Sequence, residues 1–361
     1  MKGSQIGIIG GGIAAAVIIA VLFVSMGAQN DAAPSPIDNN AAVVPTVEPQ
    51  NDIAIEPEEK FLVYTTFYPL YQFTQGVAGD AAEVRILIPS NADPHASELG
   101  PKTIAALTKA DMVIYNGADF EPYIDEIMSA SDFAHIVFVD SSEGIELMEG
   151  EAHDHHGHGS HGDDKHDDHS KEDGHDEHGE EGVIDHTYDP HIWLDPILAK
   201  AQVMTIADHL QESDPAHAEI YHDNAISYAN QLDQLDQEIR SDVSSCAKDT
   251  FVPFHNAFSY FAERYDLNTL AVIQEFSPET PVTAKDIEEL IHFAEDNDIK
   301  YFFTEENRNP KLAERLAAEL GGDILLFSPL ESLSESDDPK VTYFEKMRQN
   351  VDNLQIALEC N

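Results

Sequence analysis

The sequence predicts an α/β protein of two lobes, each a mainly parallel four-stranded sheet flanked by helices, joined by one long rigid helix. β-rich runs alternate with helical runs in both halves of the chain, and this alternation is typical of parallel sheets covered by helices. Between the two sets, residues 216–245 contain neither glycine nor proline, which favours a single long helix.

The strands are predicted from β-branched and aromatic runs. In the N-terminal lobe they lie at 61–70, 85–89, 111–117 and 134–139, with helical stretches from Tyr71 and from Pro101. In the C-terminal lobe they lie at 250–254, 270–273, 301–304 and 324–327, separated by helical runs at 257–265, 283–296 and 310–320. Each set supplies one sheet.

The long helix follows Ser213-Asp214-Pro215, a cap with proline at the first turn. Its apolar positions keep roughly helical spacing: Ile220, Ala225, Tyr228, Leu232, Leu235 and Ile239. At about 1.5 Å per residue it would be about 45 Å long, enough to run along both lobes and resist a large hinge opening. The alternative, a coiled-coil dimer helix, lacks sustained heptads.

The N-terminus predicts export. Residues 6–28 are uncharged and long enough to span a bilayer, with Lys2 on one side and acidic residues from Asp31 on the other. The alternative is a cleaved signal peptide, since residues 25–28 resemble a cleavage site. The predicted domains are therefore an anchor or signal (1–28), a disordered linker (29–59), the N-terminal lobe (60–213), the connecting helix (214–245) and the C-terminal lobe (246–361).

Charge and cysteine content narrow the function. The chain has 19 basic and 68 acidic residues, a formal net charge of −49, which repels nucleic acid and anionic lipid and attracts cations. Its two cysteines, Cys246 and Cys360, predict one disulfide in an exported protein, and two unpaired buried thiols are the alternative.

A segment at 151–182 within the N-terminal lobe is rich in histidine and acidic residues, the side chains that bind borderline divalent cations. Its histidines are His153, His155, His156, His158, His161, His166, His169, His175 and His178. We call this segment the His-rich tract. Such a tract has no fixed geometry, so a selective site needs ligands held by the fold.

Three histidines outside the tract lie at predicted strand ends or beside a helix: His95, His191 and His255. Loops at the carboxyl ends of parallel strands face the crevice where ligands bind. His95 and His191 each end an Asp-Pro-His triplet, in which proline fixes the backbone and aspartate caps a turn or orients the imidazole. Together with the tract, they indicate a metal site.

At this point the sequence resembles a known family, the metal-specific solute-binding proteins of ABC transporters, and in particular their zinc-uptake branch. The resemblance covers essentially all of residues 60–358. It lies in TTFYPLYQFTQGVAGD, NADPHASELGPKTIAALTKADMVIYNGADFEPYID, DPHIWLDP, VPFHNAFSYFAERYDL, SPETPVTAKDIEELI and FFTEENRNPKLAERLAAELGGDILLFSPL. It implies two lobes with one metal bound between them.

The resemblance implies that His95 and His191 from one lobe and His255 from the other are the metal ligands. Many relatives supply an aspartate as a fourth ligand where this chain has Ser328, so the fourth ligand is open. The candidates for this position are water, a histidine of the tract, Glu305 and, more weakly, Glu98. For Glu305 the favoured alternative is a role as the cap of the following helix.

The implied function is capture of Zn²⁺ outside the cytoplasm and delivery to an ABC transporter permease by a monomeric protein held at the membrane or released. Three imidazoles suit zinc, whereas manganese prefers more oxygen ligands. A manganese- or other-metal-binding protein or adhesin of the same fold is the alternative. A zinc hydrolase is a weaker one, because the chain has no H-E-x-x-H, nucleophile elbow or usable phosphate loop.

Overall fold

The fold is taken from a computed structural model, which describes residues 60–95, 97–150, 187–278, 281–334 and 336–360. The predicted N-terminal anchor and the His-rich tract lie outside the described residues. Within the described part, no helix is both long and apolar enough to cross a bilayer.

The N-terminal lobe contains a four-stranded parallel sheet in the order β2-β1-β3-β4. Its elements are β1 (Phe61–Thr65), α1 (Tyr68–Ala78), β2 (Ala82–Ile86), α2 (Pro101–Leu107), β3 (Met112–Tyr115), α3 (Ile124–Ser129) and β4 (Val137–Asp140). All four predicted strands are present. The first is shorter than predicted because α1 already begins at Tyr68, with Pro69 in its first turn.

Helix α4 (Pro196–Ser213) packs against α1 and β4 of the N-terminal lobe, and α5 (Ala218–Val243) links the lobes. Helix α5 is the predicted connecting helix, with 26 residues and a length of about 39 Å at the usual rise. Its buried stripe begins at Tyr221, whereas Ile220, predicted to be buried, is 46% exposed. The stripe is thus shifted by one residue at the helix start.

The C-terminal lobe contains four strands as two parallel pairs, β5-β6 and β7-β8. Three of them overlap predicted strands, and the fourth lies at 268–269, directly before the predicted strand at 270–273. Its elements are β5 (Thr250–Phe251), α6 (Ser259–Arg264), β6 (Asn268–Thr269), α7 (Ala284–Asp296), β7 (Tyr301–Thr304), α8 (Lys311–Leu320), β8 (Asp323–Leu326) and α9 (Tyr343–Ala357). A single parallel bridge, Val252 to Phe302, links the two pairs. Pro253 follows Val252 and has no N–H to donate, which interrupts a continuous ladder.

The sheet of the N-terminal lobe is covered on both faces. Val63 and Ile114 pack towards α1, α4 and α5, whereas Tyr64 and Val113 pack towards α2 and α3. The first of these clusters continues into the C-terminal lobe, where it includes Phe303, Phe327 and Tyr343, among others. The largest apolar cluster therefore runs through both lobes, and a separate cluster lies within the C-terminal lobe.

The predicted disulfide is present, between Cys246 just after α5 and Cys360 just after α9. It closes a loop with a sequence separation of 114 residues. Cross-linking so long a loop removes much conformational freedom from the unfolded chain.

Replacing both cysteines with serine is expected to lower the free energy of unfolding by about 2–5 kcal/mol. Urea denaturation followed by circular dichroism measures the change. Dithiothreitol should shift the wild-type midpoint towards that of the variant and leave the variant unchanged. Equal midpoints for all samples would contradict the prediction.

Candidate metal site

His95 lies in the loop between β2 and α2. The Asp93 carboxylate accepts a hydrogen bond from the His95 backbone N–H at 2.9 Å, a turn that the Asp-Pro-His triplet favours. The His95 side chain is 2% exposed. Its ring stands edge-on to Phe120, with centroids 4.9 Å apart, so the imidazole reaches into a closed part of the molecule.

His191 lies at the second Asp-Pro-His triplet, just before a 3₁₀ turn at Ile192–Leu194 that leads into α4. Asp189 Oδ1 accepts from the His191 backbone N–H at 2.9 Å and contacts ring Nδ1 at 2.8 Å. Because the carboxylate holds Nδ1–H, the other nitrogen, Nε2, carries the free lone pair in the neutral ring.

His255 follows the short strand β5 in the C-terminal lobe and is fully buried. Its Nδ1 lies 2.6 Å from Glu305 Oε1, in the loop after β7. Glu305 therefore orients the His255 ring through Nδ1, as Asp189 orients the His191 ring. In both residues Nε2 is left to face the space between the lobes.

A buried glutamate, Glu331, completes the cluster. Its Oε1 lies 3.1 Å from His95 Nε2, 3.2 Å from His191 Nε2 and 3.4 Å from His255 Nε2. The Nε2 atoms of His191 and His255 are 3.3 Å apart. Ligands at about 2.0–2.1 Å from a tetrahedral Zn²⁺ are separated by about 3.3–3.4 Å. These four distances match the spacing of a tetrahedral zinc site, and all four ligand atoms lie within 4.8 Å of one another.

Among the described residues, this is the one group of three or more histidine, cysteine or acidic side chains close enough to hold a metal ion. Two of its members, His95 and His191, come from the N-terminal lobe, and the other two, His255 and Glu331, come from the C-terminal lobe. An ion bound there would join the lobes.

The cluster is strongly coupled electrostatically. Burial by itself lowers the pKa of His255, but the carboxylates of Glu305 and Glu331 outweigh burial and raise it to about 10. Burial likewise lowers the pKa of His191, and Asp189 and Glu331 outweigh it, so the pKa is raised. For Glu331, burial raises the pKa, but the histidines hold it well below its usual value. The metal-free site thus binds protons where a cation would sit.

The structure brings the three predicted histidines together and places Glu331 beside them, whereas Ser328, Glu305 and Glu98 lie outside the cluster. Ser328 is buried, and its Oγ accepts from the Leu330 backbone N–H at 3.1 Å, so it serves the turn that leads to Glu331. Glu305 contacts His255 on the opposite side of the ring from the cluster and does not cap α8, whose N-cap is Pro310. Glu98 is exposed.

Glu331 was missed in the sequence. It lies three residues beyond Ser328, in the run SPLES, and is the first acidic residue after that position. Leu330, just before it, has a positive φ of 60°, a conformation that non-glycine residues rarely adopt. This backbone turn carries the carboxylate into the cluster, and nothing in the residue pattern indicates it.

The chain matches known proteins over most of its length. The family described as "Zinc-uptake complex component A periplasmic" matches residues 63–357. The chain belongs to this family. The ZnuA family, as we call it below, includes the high-affinity zinc uptake system protein ZnuA of Bacillus subtilis, 36% identical over 301 residues, which cover 83% of this chain and 88% of that protein.

Two further comparisons agree. The zinc-binding protein AdcA of Streptococcus pyogenes is 33% identical over 303 residues, and the match spans 84% of this chain but 57% of AdcA. The crystal structure of the Zn(II)-bound ZnuA-like domain of Streptococcus pneumoniae AdcA has a TM-score of 0.65 at 29% identity, covering 83% of this chain and 99% of that one. These names describe zinc uptake and zinc binding, and none of them describes a catalysed reaction.

Proposed function

We propose that this protein captures Zn²⁺ between its lobes, with His95, His191, His255 and Glu331 as ligands, and delivers it to an ABC transporter permease for zinc uptake. The observation that supports this most directly is the convergence of three Nε2 atoms on one carboxylate oxygen, at 3.1–3.4 Å from it and within 4.8 Å of one another. Membership of the ZnuA family supports the same function.

The donor set favours zinc over harder cations. Three imidazoles and one carboxylate suit Zn²⁺, whereas Mn²⁺ and Mg²⁺ prefer more oxygen ligands and higher coordination numbers. The buried carboxylate also distinguishes this site from a catalytic one. Catalytic zinc keeps an open position for water or substrate, and here Glu331 fills the fourth corner. A binding protein fits this arrangement better than a hydrolase does.

The division of ligands between the lobes supports a delivery role. Separating His95 and His191 from His255 and Glu331 would remove two ligands from the ion at once, so any movement between these loops weakens binding strongly. A permease that binds the closed protein and draws these loops apart would receive the ion.

We also propose that the protein works outside the cytoplasm, held there by residues 6–28 or released after their cleavage, and that the His-rich tract gathers metal near the site. The tract is bounded at its two ends by an antiparallel bridge between Glu149 and Tyr188. Tyr188 is three residues from His191. A tract anchored there would raise the local zinc concentration beside the site.

Metal titration by calorimetry tests the proposal, with Zn²⁺, Mn²⁺, Cu²⁺ and Ni²⁺ in competition. Wild type is expected to bind one Zn²⁺ tightly and several weakly. Deleting residues 151–182 should remove the weak sites and leave the tight one. Loss of tight binding in the deletion variant would place the site in the tract and contradict the ligand assignment.

Zinc binding is expected to release at least one proton at pH 7.5. The raised pKa of His255, about 10, keeps its ring protonated at neutral pH, and a protonated imidazole cannot coordinate. Apparent affinity should therefore rise by about tenfold per pH unit for each proton displaced. Calorimetry in buffers of different ionisation enthalpy measures the number of protons. Enthalpies that are equal in all buffers would contradict the expectation.

A further inference from the structure

An arginine of the C-terminal lobe reaches across to the loop that carries His95. Arg308 lies between β7 and α8, and its Nη2 is 2.7 Å from Asp93 Oδ2 in the N-terminal lobe. The side chains are 14% and 21% exposed. The ion pair is thus partly shielded from water, where charge-assisted hydrogen bonds are stronger than on an open surface.

The same aspartate holds the backbone of the ligand. Asp93 Oδ1 accepts from the His95 N–H at 2.9 Å while Oδ2 accepts from Arg308. Arg308, Asp93 and the His95 backbone therefore form one chain of hydrogen bonds across the lobes. Arg308 also interacts with the charges of Glu331 and Glu305. Loss of this cation would by itself reduce repulsion of a bound Zn²⁺ and slow its release, so faster release on its removal would report the effect that passes through the loop.

A second contact fixes the other end of this loop. The Leu333 backbone N–H donates to Ser90 O at 2.5 Å, and Leu333 follows Glu331 by two residues. The loop before His95 is consequently attached to the C-terminal lobe at two points. Ser90 contacts the segment that carries Glu331, and Asp93 contacts Arg308, which lies three residues after Glu305.

The second Asp-Pro-His triplet provides an internal comparison. Asp189 uses a single oxygen, Oδ1, to hold both the backbone N–H and ring Nδ1 of His191. Both residues belong to the N-terminal lobe and are buried. The C-terminal lobe reaches this triplet through the Tyr260 hydroxyl, which donates to the Asp189 backbone carbonyl at 2.9 Å, whereas the second carboxylate oxygen of Asp189 has no hydrogen-bond partner among the described residues. The orientation of the His95 loop, by contrast, depends on a cation from the opposite lobe.

We propose that Arg308 is a positioning residue that latches the His95 loop to the C-terminal lobe and thereby sets the rate at which bound Zn²⁺ dissociates. This rests on the function proposed above. Breaking the Arg308–Asp93 pair leaves the loop attached to the C-terminal lobe at Ser90 and lets its His95 end move away from the ion while His191, His255 and Glu331 stay in place. His95 is the first ligand to leave, and the release of zinc begins there.

The test measures zinc dissociation from the full-length protein loaded with one equivalent of Zn²⁺ and mixed with excess chelator in a stopped-flow instrument. Arg308→Gln removes the cation and is expected to increase the dissociation rate by about 10- to 100-fold, the range for residues that orient metal ligands. Association should change by less than about threefold. Arg308→Lys keeps the charge without the planar fork and should give an intermediate rate.

Arg315→Gln is the matched control, because Arg315 is an exposed arginine of α8 and the substitution makes the same change in net charge. It should release zinc at the wild-type rate. If Arg308→Gln also releases zinc at the wild-type rate, the proposed role of Arg308 is wrong. If Arg308→Gln lowers the melting temperature of the metal-free protein, the dissociation rate of Arg308→Lys is used instead. A rate above that of the wild type supports the proposal, and the wild-type rate contradicts it.

The two proposals fail differently. Wild-type protein that lacks a tight Zn²⁺ site would overturn the proposed function. If the wild-type protein binds one Zn²⁺ tightly and the Arg308 variants release it at the wild-type rate, only the proposed role of Arg308 is contradicted.

Discussion

Replacing Glu331 with alanine is expected to weaken zinc binding by about 100- to 1,000-fold. Structural zinc sites in peptides bind with about 10–16 kcal/mol, so each of four ligands accounts for about 2.5–4 kcal/mol, and each 1.4 kcal/mol is a factor of about ten. The carboxylate contacts all three Nε2 atoms and is the one anionic member of the cluster. Competition with a chelating dye of known affinity measures the loss.

Two variants separate this prediction from the other candidates for the fourth ligand. Ser328→Ala should keep wild-type affinity, because the Ser328 hydroxyl accepts from Leu330 N–H and does not reach the cluster. Glu305→Gln should cost about 10- to 100-fold, since Glu305 orients His255 through Nδ1. A larger loss for Ser328→Ala than for Glu331→Ala would exclude the assignment.

The second large effect is on stability. Lys346 of α9 is 1% exposed and pairs with Glu306, and lies 3.3 Å from an oxygen of Asp337. Lys346→Met is expected to lower the free energy of unfolding by about 3–5 kcal/mol, because it leaves Glu306 as a buried charge without its cation. Urea denaturation followed by circular dichroism measures the change.

The control is Lys285→Met, which removes a lysine that is 79% exposed and pairs with Glu289 one turn away on α7. Surface pairs of this kind contribute less than about 1 kcal/mol. Adding Glu306→Gln to Lys346→Met should recover part of the lost stability, since the double variant no longer buries that carboxylate. Equal losses in the free energy of unfolding for Lys346→Met and Lys285→Met would contradict the prediction.

Helix α9, which carries Lys346, was not predicted. Its core-facing positions include Lys346 and Asn350, which are buried polar residues, so the apolar periodicity that indicates a helix is incomplete. The capping box formed by Thr342 and Glu345 was a readable signal for its start. By contrast, α7 and α8 have apolar positions at regular helical spacing, and their predicted bounds agree with the structure to within about one residue.

The candidate site was predictable where ligands follow regular elements. His95 and His255 follow strands, and His191 precedes a helix; the alternation of strands and helices was therefore enough to place them near one crevice. Glu331 lies in an irregular segment after β8, and its position depends on the turn at Leu330 and on contacts with residues far away in sequence. Tertiary contacts of this kind leave no local pattern. The same holds for the Arg308–Asp93 pair, whose members are 215 residues apart.

The continuous apolar core has a consequence for energetics. Because the largest cluster includes Val63 of β1, Leu232 of α5 and Phe303 of β7, unfolding of either lobe would expose apolar surface that the other lobe shares, although each lobe also has a smaller cluster of its own. The two lobes then melt as one cooperative unit. Because zinc binds the folded protein, thermodynamic linkage raises the free energy of unfolding of that whole unit by about 4 kcal/mol when free zinc is 1,000 times its dissociation constant. Loading with metal thus protects even the distant ends of both lobes against proteolysis and heat.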